Sequence, residues 1–322
     1  MRAIVYDTYG TPGVLRLAEV PTPVPAAGEV LIRVRASTVG PADCAARQAD
    51  PAYSRMVFGL FSPRKPILGS DLAGEVAALG AGVTGFAVGD RVLAATGAAF
   101  GTHAEYALLP QVAVVPTPDG LGDADAAALI GGGLTALPFL RDHGRLRDGQ
   151  RILINGASGA VGTAAVQLAK HFGASVTAVC STTNLDLVRS LGADEVIDHT
   201  REDFTRLGGG FDVVFDAVGK SSFARCRGLL KPGGAYLTTV PSPAALLQTL
   251  WTPRFGRKRV VLAFTGLRSP AVMAEDLAVL TGLAAAGRLR AVIDRSYPLE
   301  QVADAHRYVD TGRKRGAVVV TV

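Results

Sequence analysis

Cysteine is scarce in this chain, and its few cysteines are not spaced for cross-linking. The 322 residues contain three cysteines, Cys44, Cys180 and Cys226, with no C-x-x-C pair. An odd number of widely separated cysteines argues against a disulfide framework. Cys180 ends a predicted strand and Cys226 lies in a predicted helix, which is typical of residues that fill a core.

The chain also lacks long apolar runs and dense runs of one charge. Its apolar segments are shorter than about 18 residues or are interrupted, so no membrane span is expected. The start, MRAIVYDTYG, predicts a strand and lacks the apolar region of a signal peptide, so the cytoplasm is the expected location. The net charge of +5 is spread out, and its densest run, RFGRKR, lacks the interleaved aromatic residues of a nucleic-acid groove. We therefore expect neither a nucleic acid nor a membrane as a partner.

The chain does contain two successive patterns of apolar residues. Apolar residues make up 48% of it, which is enough for a buried core in one large or two medium domains. Up to about Pro118, short segments rich in β-branched residues are separated by Gly, Pro and Asp, which predicts a β-rich barrel or sandwich. From Gln150 onward, apolar strands alternate with helices, which predicts a parallel sheet covered on both faces.

A glycine-rich turn lies where the second pattern begins. In INGASGAVGTAAVQLAK, three glycines stand between a predicted strand and a predicted helix. Glycine lets the backbone approach a phosphate closely, and a helix N-terminus favours an anion. The usual fingerprint is G-x-G-x-x-G, and the spacing G-x-x-G-x-x-G changes the turn but keeps this chemistry, although an ordinary turn in a βαβ unit is the alternative. The residues predicted to bind a dinucleotide here are Gly156, Ala157, Ser158, Gly159, Ala160, Val161 and Gly162.

These motifs resemble those of the zinc-free quinone oxidoreductase branch of the medium-chain dehydrogenase/reductase superfamily. The similarity extends over nearly the whole chain and rests, in the family's order, on ILGSDLAGEV, GDRV, HAEYALLP, LTALPFLR, NGASGAVGTAAVQLAK, SLGADEVID, FDVVFDAVG and VIDRSYPLEQVADAHRYVDTGRKRG. It implies an α/β protein with a GroES-like β-rich catalytic domain at 1–122 and 290–322. A Rossmann domain with a doubly wound parallel sheet would occupy 123–289. We also expect a homodimer.

The choice of cofactor depends on the residues after the strand SVTAVC. An acidic residue about 20 positions beyond the glycines would bind ribose hydroxyls and favour NAD. The sequence here is STTN, and the hydroxyls of Ser181, Thr182 and Thr183 can donate to a 2′-phosphate, so we predict NADP(H). The family's usual lysine near Thr182 or Thr183 and its tyrosine at His199 are absent, which predicts a weaker grip on the phosphate. Possible substitute partners are Arg189, His199 and Arg201.

Further cofactor contacts are expected at the ends of later strands, because ligands bind beyond the carboxyl ends of strands in open α/β sheets. The stretches DAVG, TTVPS and AFTG follow three predicted strands. The predicted contacts are Asp216, Ala217, Val218, Thr239, Val240, Phe264 and Thr265.

The sequence lacks the ligands of a zinc enzyme. Zinc dehydrogenases of this superfamily carry a Cys and a His-Glu pair at positions that correspond here to Gly40, Ser70 and Asp71. A zinc site needs three or four ligands at close quarters, so we expect no metal. A G-x-S-x-G elbow is also missing, and the histidines on or beside helices, including His306, are expected to be surface or capping residues.

Hydride transfer to a conjugated carbonyl is the favoured reaction, because without a metal nothing stabilises an alkoxide. The resemblance implies that Tyr53 and Thr135 lie near the nicotinamide. Tyr53 could donate to the substrate oxygen or simply pack, and Thr135 could instead cap the start of a helix. Two functions stay open, namely NADPH-dependent reduction of quinones or α,β-unsaturated carbonyls, and cofactor binding with little turnover by a redox-sensing or RNA-binding relative. The family's usual Asn is missing at Gly40, which slightly favours the second.

Overall fold

The structure, a computed structural model, describes residues 1–50, 55–255 and 257–322. Its strands are β1 (Arg2–Val5), β2 (Arg16–Glu19), β3 (Glu29–Thr38), β4 (Asp71–Leu79), β5 (Arg91–Ala95), β6 (Tyr106–Pro110), β7 (Val114–Pro116), β8 (Arg151–Asn155), β9 (Ser175–Cys180), β10 (Glu195–Asp198), β11 (Phe211–Asp216), β12 (Leu230–Thr238), β13 (Arg259–Leu262), β14 (Ile293–Pro298) and β15 (Ala317–Thr321). Its helices are α1 (Pro41–Gln48), α2 (Arg55–Phe58), α3 (Asp123–Pro138), α4 (Ala160–His171), α5 (Leu185–Ser190), α6 (Phe223–Cys226), α7 (Pro243–Phe255), α8 (Pro270–Ala285) and α9 (Val302–Asp310). The chain folds into two compact units, Met1–Gly131 with Gly266–Val322, and Gly132–Thr265.

The first unit is built on a seven-stranded sheet. Its order is β14-β15-β3-β4-β5-β7, with β6 also paired to β3, and β1 and β2 form a separate antiparallel pair. All neighbours in the larger sheet are antiparallel except β14 and β15. Alternate residues of β3, Val30, Ile32 and Val34, are buried in one cluster with Leu72 and Val76 of β4, as the period of two in a strand requires. The prediction of a β-rich first part is confirmed.

The end of the chain completes this first sheet. Strand β15 pairs with β3, and Val319 lies opposite Thr38. Helix α9 buries Val302, Ala305 and Val309, a spacing of three and four residues that places them on one helix face. The C-terminal segment therefore belongs to the first compact unit.

The second unit contains a six-stranded parallel sheet with the order β10-β9-β8-β11-β12-β13. Counted within the unit, this is the order 3-2-1-4-5-6 of a Rossmann domain. The consecutive residues Ile152–Ile154 and Val213–Phe215 are buried, as expected for strands covered on both faces. The order reverses between β8 and β11, so the carboxyl ends of these two strands form the switch point at which such sheets bind ligands.

The borders of the compact units differ from the predicted domain borders. The units divide at 131/132 and 265/266, whereas the predicted borders are 122/123 and 289/290. Helix α3 crosses the first division, and helix α8 contacts β5 and β7 of the first unit. The predicted functional borders stay a prediction. Within the described residues, no helix is both long and apolar enough to cross a membrane.

Candidate active site and dinucleotide-binding edge

The glycine-rich turn connects the central strand of the second unit to its first long helix. Strand β8 ends at Asn155 and helix α4 begins at Ala160, so the predicted loop lies at the switch point of the sheet. The backbone N–H groups of Gly156 and Ala157 both donate to the carbonyl oxygen of Val179, which ties the loop to β9. The first N–H groups of a helix lack partners within it, so this end of α4 suits an anion.

Two of the three glycines are required by the fold of the loop itself. Gly156 has a φ of +80°, and a Cβ there would lie 2.3 Å from the side chain of Val218. At Gly162 a Cβ would lie 2.2 Å from the carbonyl oxygen of Gly156 and 2.6 Å from Cα of Ala157. Any larger residue at either position would push neighbouring atoms apart, so these glycines have a packing role.

The middle glycine is different, because neither the backbone conformation nor the packing of the loop requires a glycine there. Gly159 has a φ of −78°, which any residue adopts, and a Cβ there would meet nothing closer than 3.7 Å, the carbonyl oxygen of Gly156. The space beside Gly159 is therefore open. A glycine in that place leaves room for a phosphate against the backbone, so the loop fits a dinucleotide pyrophosphate.

Hydroxyl groups line the end of the neighbouring strand β9. Ser181 is half-buried, while Thr182, Thr183 and His199 are exposed, and the backbone N–H of His199 donates to the carbonyl oxygen of Cys180. These are the positions from which a Rossmann domain contacts the adenosine ribose. The predicted group of residues is thus brought together at one edge.

A carboxylate that sequence reasoning missed stands beside this edge. Asp198 ends β10 directly opposite Cys180 and accepts hydrogen bonds from the hydroxyls of Thr182 and Thr200. These bonds lower the pKa of Asp198 to about 2, so it is ionised at neutral pH. The hydroxyl of Thr182 is therefore already engaged. The signal was present in the sequence, since Asp198 ends the apolar segment EVID.

Asp216 organises the end of β11. Its fully buried carboxylate accepts hydrogen bonds from the side chains of Asn155 and Tyr236, at 3.0 Å each. Backbone N–H groups of Val218, Gly219 and Ser221 also donate to it. Five donors thus hold the turn after β11 in place. A direct contact between Asp216 and a cofactor stays a prediction.

Apolar side chains are exposed beyond three adjacent strands. Val218, Val240 and Phe264, which follow β11, β12 and β13, are 39%, 43% and 52% exposed. The hydroxyl of Thr239 donates to the carbonyl oxygen of Ala217, which links the first two of these turns. Thr265 begins a short helical turn after β13. An exposed apolar row at a ligand-binding edge suits the face of a flat aromatic ring.

The two predicted catalytic residues have different outcomes. Tyr53 lies outside the described residues. Thr135 lies in the last turn of α3, which begins at Asp123, so the alternative that it caps a helix start is wrong. A catalytic role for Thr135 stays a prediction.

Buried carboxylates lie at or beside the positions of the absent zinc ligands in the first unit. Asp71 accepts a hydrogen bond from the hydroxyl of Thr38 at 2.7 Å, and burial raises the pKa of Asp71 to about 7. Asp43 accepts from the backbone N–H groups of Gly40 and Gly69, and burial raises its pKa to about 6. Across residues 1–50, 55–255 and 257–322, no three His, Cys, Asp or Glu side chains are grouped to hold a metal ion.

His306 is not a surface residue, contrary to the sequence expectation. It is fully buried, its Nδ1 lies 3.4 Å from Sγ of Cys44, and its ring meets that of His103 edge to face. Burial lowers the pKa of His306 well below its usual value. The expectation failed because His306 lies on the inner face of α9, beside the buried Val302, Ala305 and Val309.

Comparison with known families agrees with this architecture. Residues 26–119 match the family model described as alcohol dehydrogenase GroES-like domain, and residues 191–320 match the one described as zinc-binding dehydrogenase. The chloroplast envelope quinone oxidoreductase homolog of Arabidopsis thaliana is 33% identical, over 99% of this chain and 98% of that protein. This chain belongs to the quinone oxidoreductase branch of the medium-chain dehydrogenase/reductase superfamily. It is accordingly an oxidoreductase, and the predicted GroES-like and Rossmann fold class is confirmed.

Two further members of the branch show the breadth of the similarity. The NADPH-dependent alkenal/one oxidoreductase of Arabidopsis thaliana chloroplasts is 33% identical, over 99% of this chain and 79% of that protein. The solved structure of the quinone oxidoreductase from Coxiella burnetii is 30% identical, with a TM-score of 0.88 over 100% of this chain and 99% of that one. The first of these two proteins is NADPH-dependent by its name, and membership of the family indicates a nicotinamide cofactor for this chain.

Proposed function

We propose that this oxidoreductase uses NADPH to reduce quinones or α,β-unsaturated carbonyls. The observation that carries the proposal is the open space at Gly159, a glycine that neither the backbone conformation nor the packing of the loop requires. Residues 156–162 would hold the pyrophosphate through backbone N–H groups at the start of α4. The names of the relatives, quinone oxidoreductase and alkenal/one oxidoreductase, support the choice of acceptor.

The preference for NADPH rests on the edge beyond β9. Ser181 and Thr183 offer hydroxyls there, and exposed His199 follows the neighbouring strand. No acidic residue occurs among positions 181–184. A 2′-phosphate placed there would face hydroxyl groups that can donate hydrogen bonds to it. The ionised Asp198 is bonded to Thr182 and Thr200, which limits but does not remove its repulsion of a phosphate. We expect a modest preference, about tenfold.

The reaction needs little from the protein beyond positioning. When bound, NADPH supplies a hydride. The exposed row of Val218, Val240 and Phe264 would hold the nicotinamide ring, and the glycine loop would hold the pyrophosphate that joins the two halves of the cofactor. The acceptor gains the hydride and one proton, and its conjugated carbonyl delocalises the charge between the two transfers. The proton would come from water or from Tyr53.

Binding without turnover is the competing function. It is favoured by Gly40, because the polar side chain usual in the family is missing there. Purified protein is incubated with NADPH and a quinone, an enone or a saturated aldehyde, and separately with NADP+ and a secondary alcohol, which separates the cases. We expect oxidation of NADPH with the quinone or enone. Turnover of the saturated aldehyde or the alcohol alone would refute the reaction, and no turnover with tight NADPH binding would support the binding protein.

The role of Tyr53 is tested in the same assay. A general acid typically contributes about 10²- to 10⁴-fold, so Tyr53→Phe should lower kcat by that factor if the phenol donates the proton. A change within about threefold, with unaltered NADPH affinity, would assign the proton to solvent. Thr135→Val, measured beside it, tests the second predicted catalytic residue.

Assembly and location are further parts of the proposal. We propose a cytoplasmic homodimer. Strand β13 ends the six-stranded sheet and has a neighbour on one side in the described chain, which leaves an edge on which a second copy could pair. Light scattering of the purified protein should give twice the mass of one chain, and fractionation of the source cells should place the protein with cytoplasmic markers.

A further inference from the structure

Asn184 lies between the two halves of the dinucleotide edge. It is one of only two asparagines in the chain, and it is 7% exposed. Its Nδ2 donates to Oγ of Ser158 in the glycine loop and to Oγ of Ser181 after β9, both at 3.1 Å. One buried carboxamide thus joins a residue of the phosphate loop to a residue of the ribose edge.

The carboxamide of Asn184 also carries an acceptor, its carbonyl oxygen Oδ1. Oδ1 of Asn184 is buried and has no hydrogen-bond partner in the described part of the chain. Buried polar atoms in folded proteins are nearly always paired, and an unpaired one lowers stability. An unpaired acceptor held by two bonds at a ligand-binding edge is therefore a sign that its partner is a ligand.

The chemistry that matches this acceptor is a hydroxyl group. Rossmann domains that bind NAD place an acidic side chain after the second strand, where it accepts hydrogen bonds from the adenosine ribose. In this unit β9 is that second strand, and Asn184 is the fourth residue after its end at Cys180. A carboxamide oxygen accepts the same hydrogen bond as a carboxylate but carries no charge, so it does not repel a 2′-phosphate.

We propose that Asn184 binds the cofactor by accepting a hydrogen bond on Oδ1 from a hydroxyl of the adenosine ribose, while Nδ2 holds Ser158 and Ser181. The inference rests on the proposed use of a nicotinamide dinucleotide. The 3′-hydroxyl is free in both NADH and NADPH, so the bond contributes to both. Asn184 is then a neutral replacement for the acidic residue, and the absence of charge is what admits NADPH.

The test is direct binding, measured by calorimetry with NADPH, NADH and 5′-AMP. Asn184→Ala should weaken all three by about tenfold, including 5′-AMP, which lacks the nicotinamide half. Ser190→Ala is the matched control, because its exposed hydroxyl, in the helix that follows Asn184, donates to the carbonyl oxygen of Leu187, and it should bind within about twofold of the unaltered protein. Binding of all three ligands by Asn184→Ala within about twofold would overturn the proposal.

A second variant keeps the test open if Asn184→Ala does not fold. Asn184→Asp preserves the size of the side chain and the acceptor oxygen but adds the charge found in NAD-specific domains. It should shift the preference from NADPH towards NADH by at least about tenfold, and an unchanged ratio would overturn the proposal. Unaltered protein that binds no dinucleotide would overturn it as well. Protein that binds NADPH but reduces no acceptor would refute the proposed reaction and leave the role of Asn184 standing.

Discussion

Thr182 donates the hydrogen of its hydroxyl to the carboxylate of Asp198, across the ends of the adjacent strands β9 and β10. One of the three hydroxyls predicted to bind a 2′-phosphate is thereby committed to a protein partner. In the proposed complex with NADPH, the grip on the phosphate would then depend on Ser181 and Thr183, so the three positions should differ in their effect on cofactor preference.

Two threonine variants separate these roles. Thr182→Val should lower the free energy of unfolding by about 1 kcal/mol, since Asp198 loses a donor, and change the NADPH to NADH affinity ratio by less than about threefold. Thr183→Val should leave stability unchanged and weaken NADPH by about three- to tenfold, with NADH unaffected. Urea denaturation and fluorescence titration measure both. Equal effects of the two variants on NADPH would show that Thr182 also contacts the phosphate.

A charge introduced at Ser181 should reverse the preference. Ser181→Asp places a carboxylate where it repels the 2′-phosphate and can accept from a ribose hydroxyl, so NADH should bind more tightly than NADPH. Ser181→Asn has a similar size without the charge and should keep NADPH preferred. Equal or tighter binding of NADH by the unaltered protein would refute the assignment of NADPH.

The glycine loop gives a paired prediction about stability and binding. Gly162→Ala should lower the free energy of unfolding by about 1–3 kcal/mol, because its Cβ would overlap the loop backbone at Gly156 and Ala157. Gly159→Ala should cost less than about 1 kcal/mol, since its Cβ has room, yet weaken NADPH at least about tenfold by filling the phosphate space. Thermal melts without cofactor and NADPH titrations check this. Unimpaired NADPH binding by Gly159→Ala would remove the main support for the pyrophosphate site.

Gly40 can be changed to the family's usual residue without conflict. It has a φ of −115°, and a Cβ there would meet only Oδ2 of Asp43, at 3.6 Å. Gly40→Asn should therefore fold normally, because asparagine is also a favoured residue at the start of a helix. If the missing amide limits turnover, kcat/KM for an enone should rise by about tenfold with NADPH affinity unchanged. Gly40→Ala is the control and should show no gain.

The buried carboxyl of Asp71 predicts a pH dependence of stability. Its pKa is raised to about 7 in the folded protein, above that in the unfolded chain, so between these values the folded state holds a proton that the unfolded state has released. This group therefore lowers the free energy of unfolding as pH rises through that range. Asp71→Asn removes the effect, and its stability relative to the unaltered protein should increase by on the order of 2 kcal/mol from pH 5 to pH 8. A pH-independent difference in denaturant midpoints would contradict it.

Metal analysis checks the prediction of zinc-free chemistry. Because Gly40, Ser70 and Asp71 stand where ligands would be, purified protein should contain no stoichiometric zinc, and a chelator should leave NADPH oxidation intact. About one zinc per chain in elemental analysis would reopen the question of alkoxide stabilisation.

The second unit was predictable in detail because its strands follow local rules. Gly156 and Gly162 stand between an apolar strand and an apolar helix, and that context fixes their place at the switch point. Asp198 could be recognised as the end of the apolar segment EVID, but the hydrogen bonds that give Asn184 and Asp198 their roles join residues 16 to 26 positions apart, so both were missed. His306 was misjudged for the same reason. Its burial comes from the packing of α9 against distant elements, among them Cys44, which sequence periodicity does not reveal.

The pairing of β15 with β3 affects the order in which the two units can fold during synthesis on the ribosome. All residues of the second unit are synthesised before β14 and β15. The first sheet begins at Glu29 but cannot be completed until Ala317–Thr321 have been synthesised. The usual sequence, in which the N-terminal domain folds first, is therefore reversed for this sheet. Until β15 emerges, residues 36–38 of β3 lack a partner on that edge, and a nascent chain truncated before residue 317 would retain this uncovered segment as a point of aggregation.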